Sequence, residues 1–177
     1  MSKIEVKKYL NSLDKNTLVK LIMDLYSTHK EVQNILEYTI RPDDNAKLEE
    51  YKAIIKQEFY PKRGYGKMRF SVCRKAVKDF KALDPSAFLL ADLMLCIPEY
   101  AAEIAEDWGD MQETFYDSTC NNFKAAMKYI EKNKLLSQFE NRIHCIMKNC
   151  ENSGYGFPDI MYQIYEEHNK MNTEEKW

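Results

Sequence analysis

Apolar residues recur at intervals of three and four along almost the whole of this 177-residue chain, and nowhere do they alternate with polar ones over the length of a strand. Val6, Tyr9, Leu10 and Leu13 form a first short stripe. Asp14 is placed to cap the next, Leu18, Leu21, Ile22 and Leu25. Val32, Ile35, Leu36 and Ile40 end at Arg41-Pro42, and Asp43 or Asp44 can start a helix carrying Leu48, Tyr51, Ile55 and Phe59. After the loop Pro61 to Lys67, the pattern resumes with Cys73, Ala76, Val77, Phe80 and Leu83.

The second half follows the same rule. Asp84-Pro85 reads as a cap with proline at the first helical position. Leu90, Leu93, Ile97, Ala101, Ile104 and Trp108 continue a buried stripe, and Pro98 inside it predicts a kink or a break into two helices. Asp110 to Glu113 and Ser137 to Glu140 have capping-box spacing, each before another apolar stripe. Pro158 opens a last helix, and the tail from Asn169 to Trp177 is polar.

The expected fold is therefore all-α: a compact array of eight or nine mostly antiparallel helices, either an irregular bundle or a short helical-repeat-like solenoid. Only 5 Gly and 5 Pro, with 45% hydrophobic residues, argue against disorder, and the length suits a single helical domain over 1–168 with a tail over 169–177. Two Gly-Tyr-Gly loops, at 64–66 and 154–156, are followed by unlike sequences, which argues against a duplicated half. Cys73, Cys96, Cys120, Cys145 and Cys150 are odd in number and form no Cys-x-x-Cys, so they read as buried reduced thiols. With no signal-like start and no apolar run long enough to span a bilayer, the expected location is the cytoplasm.

Several segments resemble a known family. They are Glu58-Phe59-Tyr60-Pro61-Lys62-Arg63-Gly64 through Phe70-Ser71, Lys75 to Lys81, Leu90-Ala91-Asp92-Leu93-Met94-Leu95, Trp108-Gly109-Asp110, Glu113 to Ser118, and Gly154-Tyr155-Gly156-Phe157. Together they are similar to a family of short all-helical bacterial proteins of unknown function. The resemblance implies a helical bacterial domain and brings with it no activity, cofactor or catalytic residue.

Charge is segregated along the chain although its formal total is only −2. Between Lys62 and Lys81 lie Lys62, Arg63, Lys67, Arg69, Arg74, Lys75, Lys78 and Lys81 against the single acid Asp79. Between Ala82 and Phe123 there is no Lys or Arg, and nine acids. Arg74, Lys78 and Lys81 share one helical face. Upstream of them Lys62, Arg63, Lys67 and Arg69 interleave with Tyr65 and Phe70 on a glycine-containing loop, a pattern that suits phosphate or unpaired bases. Runs of charge are more often solvated or paired with neighbouring acids, and the acidic helix that follows is the expected partner.

Other constellations point away from catalysis. Glu99, Glu103, Glu106 and Asp110 form a carboxylate stripe expected to face solvent or a partner. Asp92 interrupts an apolar run and is expected to pair with a base, for instance one on the preceding helix. His144 and Cys145 are adjacent on a helix and diverge, so no nucleophilic pair forms, and no metal or cofactor site is expected. Tyr65, Phe70, Trp108 and Tyr155 lie near helix ends and would line a groove if those ends converged. Two functions are favoured over a third, an enzyme. One is a non-enzymatic interaction module that binds a protein partner or a second copy of itself. The other is a nucleic-acid or phosphate-binding module centred on Lys62, Arg63, Lys67, Arg69, Arg74 and Lys78.

Overall fold

In the computed structural model, residues 1–109 and 111–169 are described, and among them there are nine helices and no strands. The helices are α1 (Lys3–Ser12), α2 (Lys15–Thr28), α3 (Lys30–Ile40), α4 (Asp44–Phe59), α5 (Phe70–Lys81), α6 (Ala87–Trp108), α7 (Glu113–Lys132), α8 (Leu136–Lys148) and α9 (Phe157–Asn169). None is long and apolar enough to cross a membrane. Contacts divide the chain into two units, Met1–Asp43 and the part from Asp44 onward.

The first unit holds α1 to α3. Ser2 caps α1 through a capping box with Glu5, whose carboxylate accepts from the Ser2 N–H at 2.6 Å. Asp14 caps α2 as expected, accepting from the N–H groups of Asn16 and Thr17 at 2.9 and 3.0 Å. Helices α2 and α3 pack on each other, with the Tyr26 hydroxyl donating to Glu37 at 2.9 Å. No side chain of this unit is buried, so its apolar stripes are only partly covered.

The second unit is organised around α6. This helix is packed by α4, α5, α7 and α8, which makes the arrangement a bundle about a central rod rather than a stack of nearest neighbours. Its sequence explains the position: Leu90, Leu93, Leu95, Ile97, Ala101 and Ile104 are buried on several faces. The core around it includes the fully buried Ile55, Phe80, Phe123, Met127, Ile130 and Ile143, each worth roughly 1.5–3 kcal/mol of burial. An aromatic chain ties four helices together, Phe59 to Phe70 to Phe115 to Tyr116 to Phe157, with ring separations of 5.8, 5.5, 5.9 and 4.7 Å.

Several sequence-based expectations change here. Pro98 does not divide α6, which runs unbroken from Ala87 to Trp108. Proline removes one internal hydrogen bond, and the surrounding burial outweighs that loss. The start of α6 is capped by Ser86, whose hydroxyl accepts from the Leu89 N–H at 3.4 Å, while Asp84 adopts a left-handed φ of 58°. Helix α8 begins one residue ahead of Ser137, with Leu135 at its cap position, so Ser137 and Glu140 form no capping box. Gln112 occupies the cap position of α7, and the expected Asp110 cap lies outside the described residues. Asn169 ends α9 and donates to the Tyr165 hydroxyl at 3.1 Å; the rest of the expected tail, 170–177, is outside the described residues. The two Gly-Tyr-Gly loops are also built differently. The first has its left-handed residue at Gly64, the second at Tyr155 and Gly156.

Candidate functional site: a cation-rimmed groove

Three acids of α6, Asp92, Glu99 and Glu103, find their partners on α4, just past its end and on α8, not on α5. The Arg142 guanidinium on α8 is ion-paired to the Asp92 carboxylate and donates to the Asp92 carbonyl at 3.1 Å. It also holds Glu99 with two bonds, of 3.0 and 2.5 Å. From the α4 side, Lys52 reaches the other oxygen of Asp92 at 2.8 Å. Tyr60 donates to Glu103 at 3.0 Å, and burial holds the Glu103 carboxyl above the usual range, with the charges of Glu99 and Asp107 adding to the rise. The expected outward carboxylate stripe is thus engaged at Glu99 and Glu103, and Asp92 pairs with helices 40 to 50 positions distant rather than with the helix before it. Glu106 is exposed, and Asp110 lies outside the described residues. No group of three or more His, Cys, Asp or Glu side chains able to hold a metal ion occurs among the described residues.

With Asp92, Glu99 and Glu103 engaged elsewhere, the basic face of α5 stays open. Arg74, Lys78 and Lys81 form one rim of a groove over α6, and Lys128 and Lys132 of α7 form the opposite rim. The floor is aliphatic: Val77, Leu90, Met94 and Ala125, with Tyr129 at its side. The groove measures about 460 Å³ and has no Asp or Glu among the described residues of its lining. A smaller depression of about 120 Å³ continues from it, between Met94, Ile97, Asn122 and Ala125. None of the five rim cations forms an ion pair among the described residues. Asp79, the one acid on α5, is bound to Lys75 at 2.7 Å. Burial, with the nearby charge of Asp84 adding to it, holds the Tyr129 phenol above its ordinary range.

The helices explain this placement. Arg74, Lys78 and Lys81 recur at i, i+4 and i+7, opposite the buried Cys73, Ala76 and Phe80. Lys128 and Lys132 recur at i, i+4 beside the buried Met127 and Ile130. That α7 pair, missed in the sequence, carried a signal in its spacing, which also includes Lys124. Which neighbour it would face depended on tertiary packing.

The remaining sequence candidates are distributed as follows. Lys62, Arg63 and Lys67 are exposed on the loop before α5. Arg69 is committed to Glu58, donating to its two carboxylate oxygens at 2.9 and 2.6 Å, with its main-chain N–H adding a third bond at 3.2 Å. The side chain of Glu58 is only 6% exposed, so Arg69 serves this buried carboxylate and pins the loop to the end of α4. Arg69 also keeps the Glu58 carboxyl below its usual range. Gly66 lies so close to α4 that a Cβ would stand 2.4 Å from the Phe59 carbonyl oxygen. Tyr65 and Trp108 meet edge to face at 5.8 Å and are 84% and 51% exposed, so Trp108 is not part of the buried stripe. Phe70 is buried in the aromatic chain, and Tyr155 leans on Tyr116 at 5.8 Å. Tyr155 borders a separate hollow of 340 Å³ between α7 and α9, lined partly by Glu113, Asp117 and Glu167.

Four of the five thiols lie in the core. Cys73, Cys96, Cys120 and Cys150 are buried, and burial pushes their thiols up to about 12, 11, 11 and 12. Cys145, expected to be buried, is exposed. Its neighbour His144 turns away to meet the Tyr165 hydroxyl at 3.1 Å.

No curated protein and no solved structure matches the chain. A family model matches residues 1–168, and the chain belongs to that family, DUF6155, a family of unknown function.

Proposed function

We propose that this protein is a non-enzymatic interaction module whose docking face is the groove between α5, α6 and α7. The observation that carries the reading is the juxtaposition of an aliphatic floor with five cations that have no partner among the described residues. Like charges gathered around one opening repel one another. A fold shaped by stability alone gains nothing from that arrangement. The floor favours a partner that buries apolar side chains, and the adjoining 120 Å³ depression suits one anchoring side chain. Pairing of basic and acidic stretches between two copies has less support, because Asp92, Glu99 and Glu103 are engaged within the chain.

The test is a steric block. Ala125 is exposed on the groove floor, so Ala125→Arg fills the groove without entering the core. Binding of helical peptides or partner proteins that is lost in this variant, with the fold intact by circular dichroism, supports the reading. Binding that persists unchanged overturns it.

A second reading, binding of single-stranded nucleic acid, is favoured by the exposed Tyr65–Trp108 pair beside Lys62, Arg63 and Lys67. Charge reversal of Arg63 and Lys67 separates the two: it abolishes RNA binding under this reading and leaves the groove untouched.

A further inference from the structure

We infer that the groove's occupant is an acidic amphipathic helix: a partner segment with an aliphatic stripe along one face and carboxylates flanking it on both sides. The inference rests on the reading of the groove as a docking face and adds the chemistry of what docks there. Three features of the groove specify it. Two cationic rims lie on opposite sides of the floor, Arg74, Lys78 and Lys81 on α5 and Lys128 and Lys132 on α7. An amphipathic helix presents charge in the same way, in two rows either side of its apolar stripe. The floor between the rims is aliphatic and open, which suits side chains spaced at i, i+3, i+4 and i+7 better than flat bases, for which Tyr129 is the one aromatic in the lining. The third feature is the absence of any carboxylate among the described residues of that lining, so a basic helix would be repelled by both rims while an acidic one is attracted from both sides.

The experiment is fluorescence anisotropy with four labelled probes. Three are peptides of about four helical turns: a leucine-striped helix with glutamate flanks, the same stripe with lysine flanks, and a scrambled acidic peptide of identical composition. The fourth is a single-stranded RNA. Each is titrated against the whole chain, against Ala125→Arg, and against the double reversal Lys78→Glu with Lys128→Glu. The inference expects the acidic striped helix to bind at least about tenfold more tightly than the other three probes, more weakly as salt rises, and to be lost in both variants. Equal binding of acidic and basic striped helices, both blocked by Ala125→Arg, overturns the acidic partner while the docking face stands. Equal binding of the scrambled peptide, or of RNA that Ala125→Arg likewise blocks, also overturns it, in favour of a groove that accepts any polyanion. Binding of the striped peptide that ignores Ala125→Arg, or no binding of any peptide, defeats the docking face itself.

Discussion

Arg142 on α8 holds Asp92 on α6 by both its carboxylate and its main-chain carbonyl, and extends the same guanidinium two turns along α6 to Glu99. This one side chain engages two of the acids of α6 from a position 50 residues beyond Asp92. Part of the charge segregation visible along the chain is met inside the fold, where Asp92, Glu99 and Glu103 of α6 turn toward α8, α4 and Tyr60 just past the end of α4. Replacing Arg142 by alanine leaves two partly buried carboxylates short of partners, and we expect a loss of about 2–4 kcal/mol in urea unfolding. Arg142→Lys recovers only part of this, since an ammonium cannot form the planar fork. A loss below about 0.5 kcal/mol in the alanine variant would show that the network contributes little.

Two glutamates respond to acid in opposite directions. Glu58 is depressed by Arg69, so its contribution is present at neutral pH and is lost as pH falls through its folded value. Glu103 is raised, chiefly by burial, so its ionised form costs stability at neutral pH and acidification through its folded value relieves that cost. Glu58→Gln is expected to destabilise by about 1–2 kcal/mol at pH 7, with the gap from wild type closing on acidification. Glu103→Gln is expected to be neutral or slightly stabilising at pH 7. Urea titrations of both variants at pH 7 and near the ordinary glutamate value check the signs.

The loop before α5 separates two uses of glycine. Gly66→Ala places a Cβ 2.4 Å and 2.6 Å from the carbonyl oxygens of Phe59 and Glu58, which are main-chain atoms that cannot move alone. A loss of about 3 kcal/mol is expected. Gly64→Ala meets no atom within 4 Å and only strains a φ of 74°, so about 1 kcal/mol is expected. Thermal unfolding of the two variants gives the ranking directly.

Thiol labelling offers a simple check of the core. Cys145 is exposed, while the other four thiols are buried and held protonated at neutral pH. Under native conditions one equivalent of a maleimide should react quickly and four only on unfolding. Cys145→Ser should abolish the fast phase.

Local signals in the sequence were reliable where a single helix decides the outcome. The Asp14 cap, the face shared by Arg74, Lys78 and Lys81, and the helical burial of Leu90, Leu93 and Ile97 follow from spacing alone. Long-range partners were not legible. Nothing near Asp92 in the chain indicates Lys52 or Arg142, and nothing near Arg69 shows that Glu58, 11 residues before it, is buried. Half of the groove was legible as the α5 stripe. The other half needed α7 to pack on the same side of α6, which no spacing within α7 specifies. Caps at Asp84 and Ser137 failed because two or more adjacent residues compete to start each helix, and the winner depends on where the preceding turn delivers the chain.

The most direct test of the cation-rimmed groove is to see where an acidic helix lands. Methyl NMR of the chain labelled at Ala, Val, Leu and Met, titrated with the glutamate-flanked striped peptide, reads this residue by residue. The account predicts that the shifts centre on Val77, Leu90, Met94 and Ala125 and vanish in the Lys78→Glu, Lys128→Glu variant. Shifts centred on α9 and the hollow beside Tyr155, with the groove methyls unmoved, would contradict it.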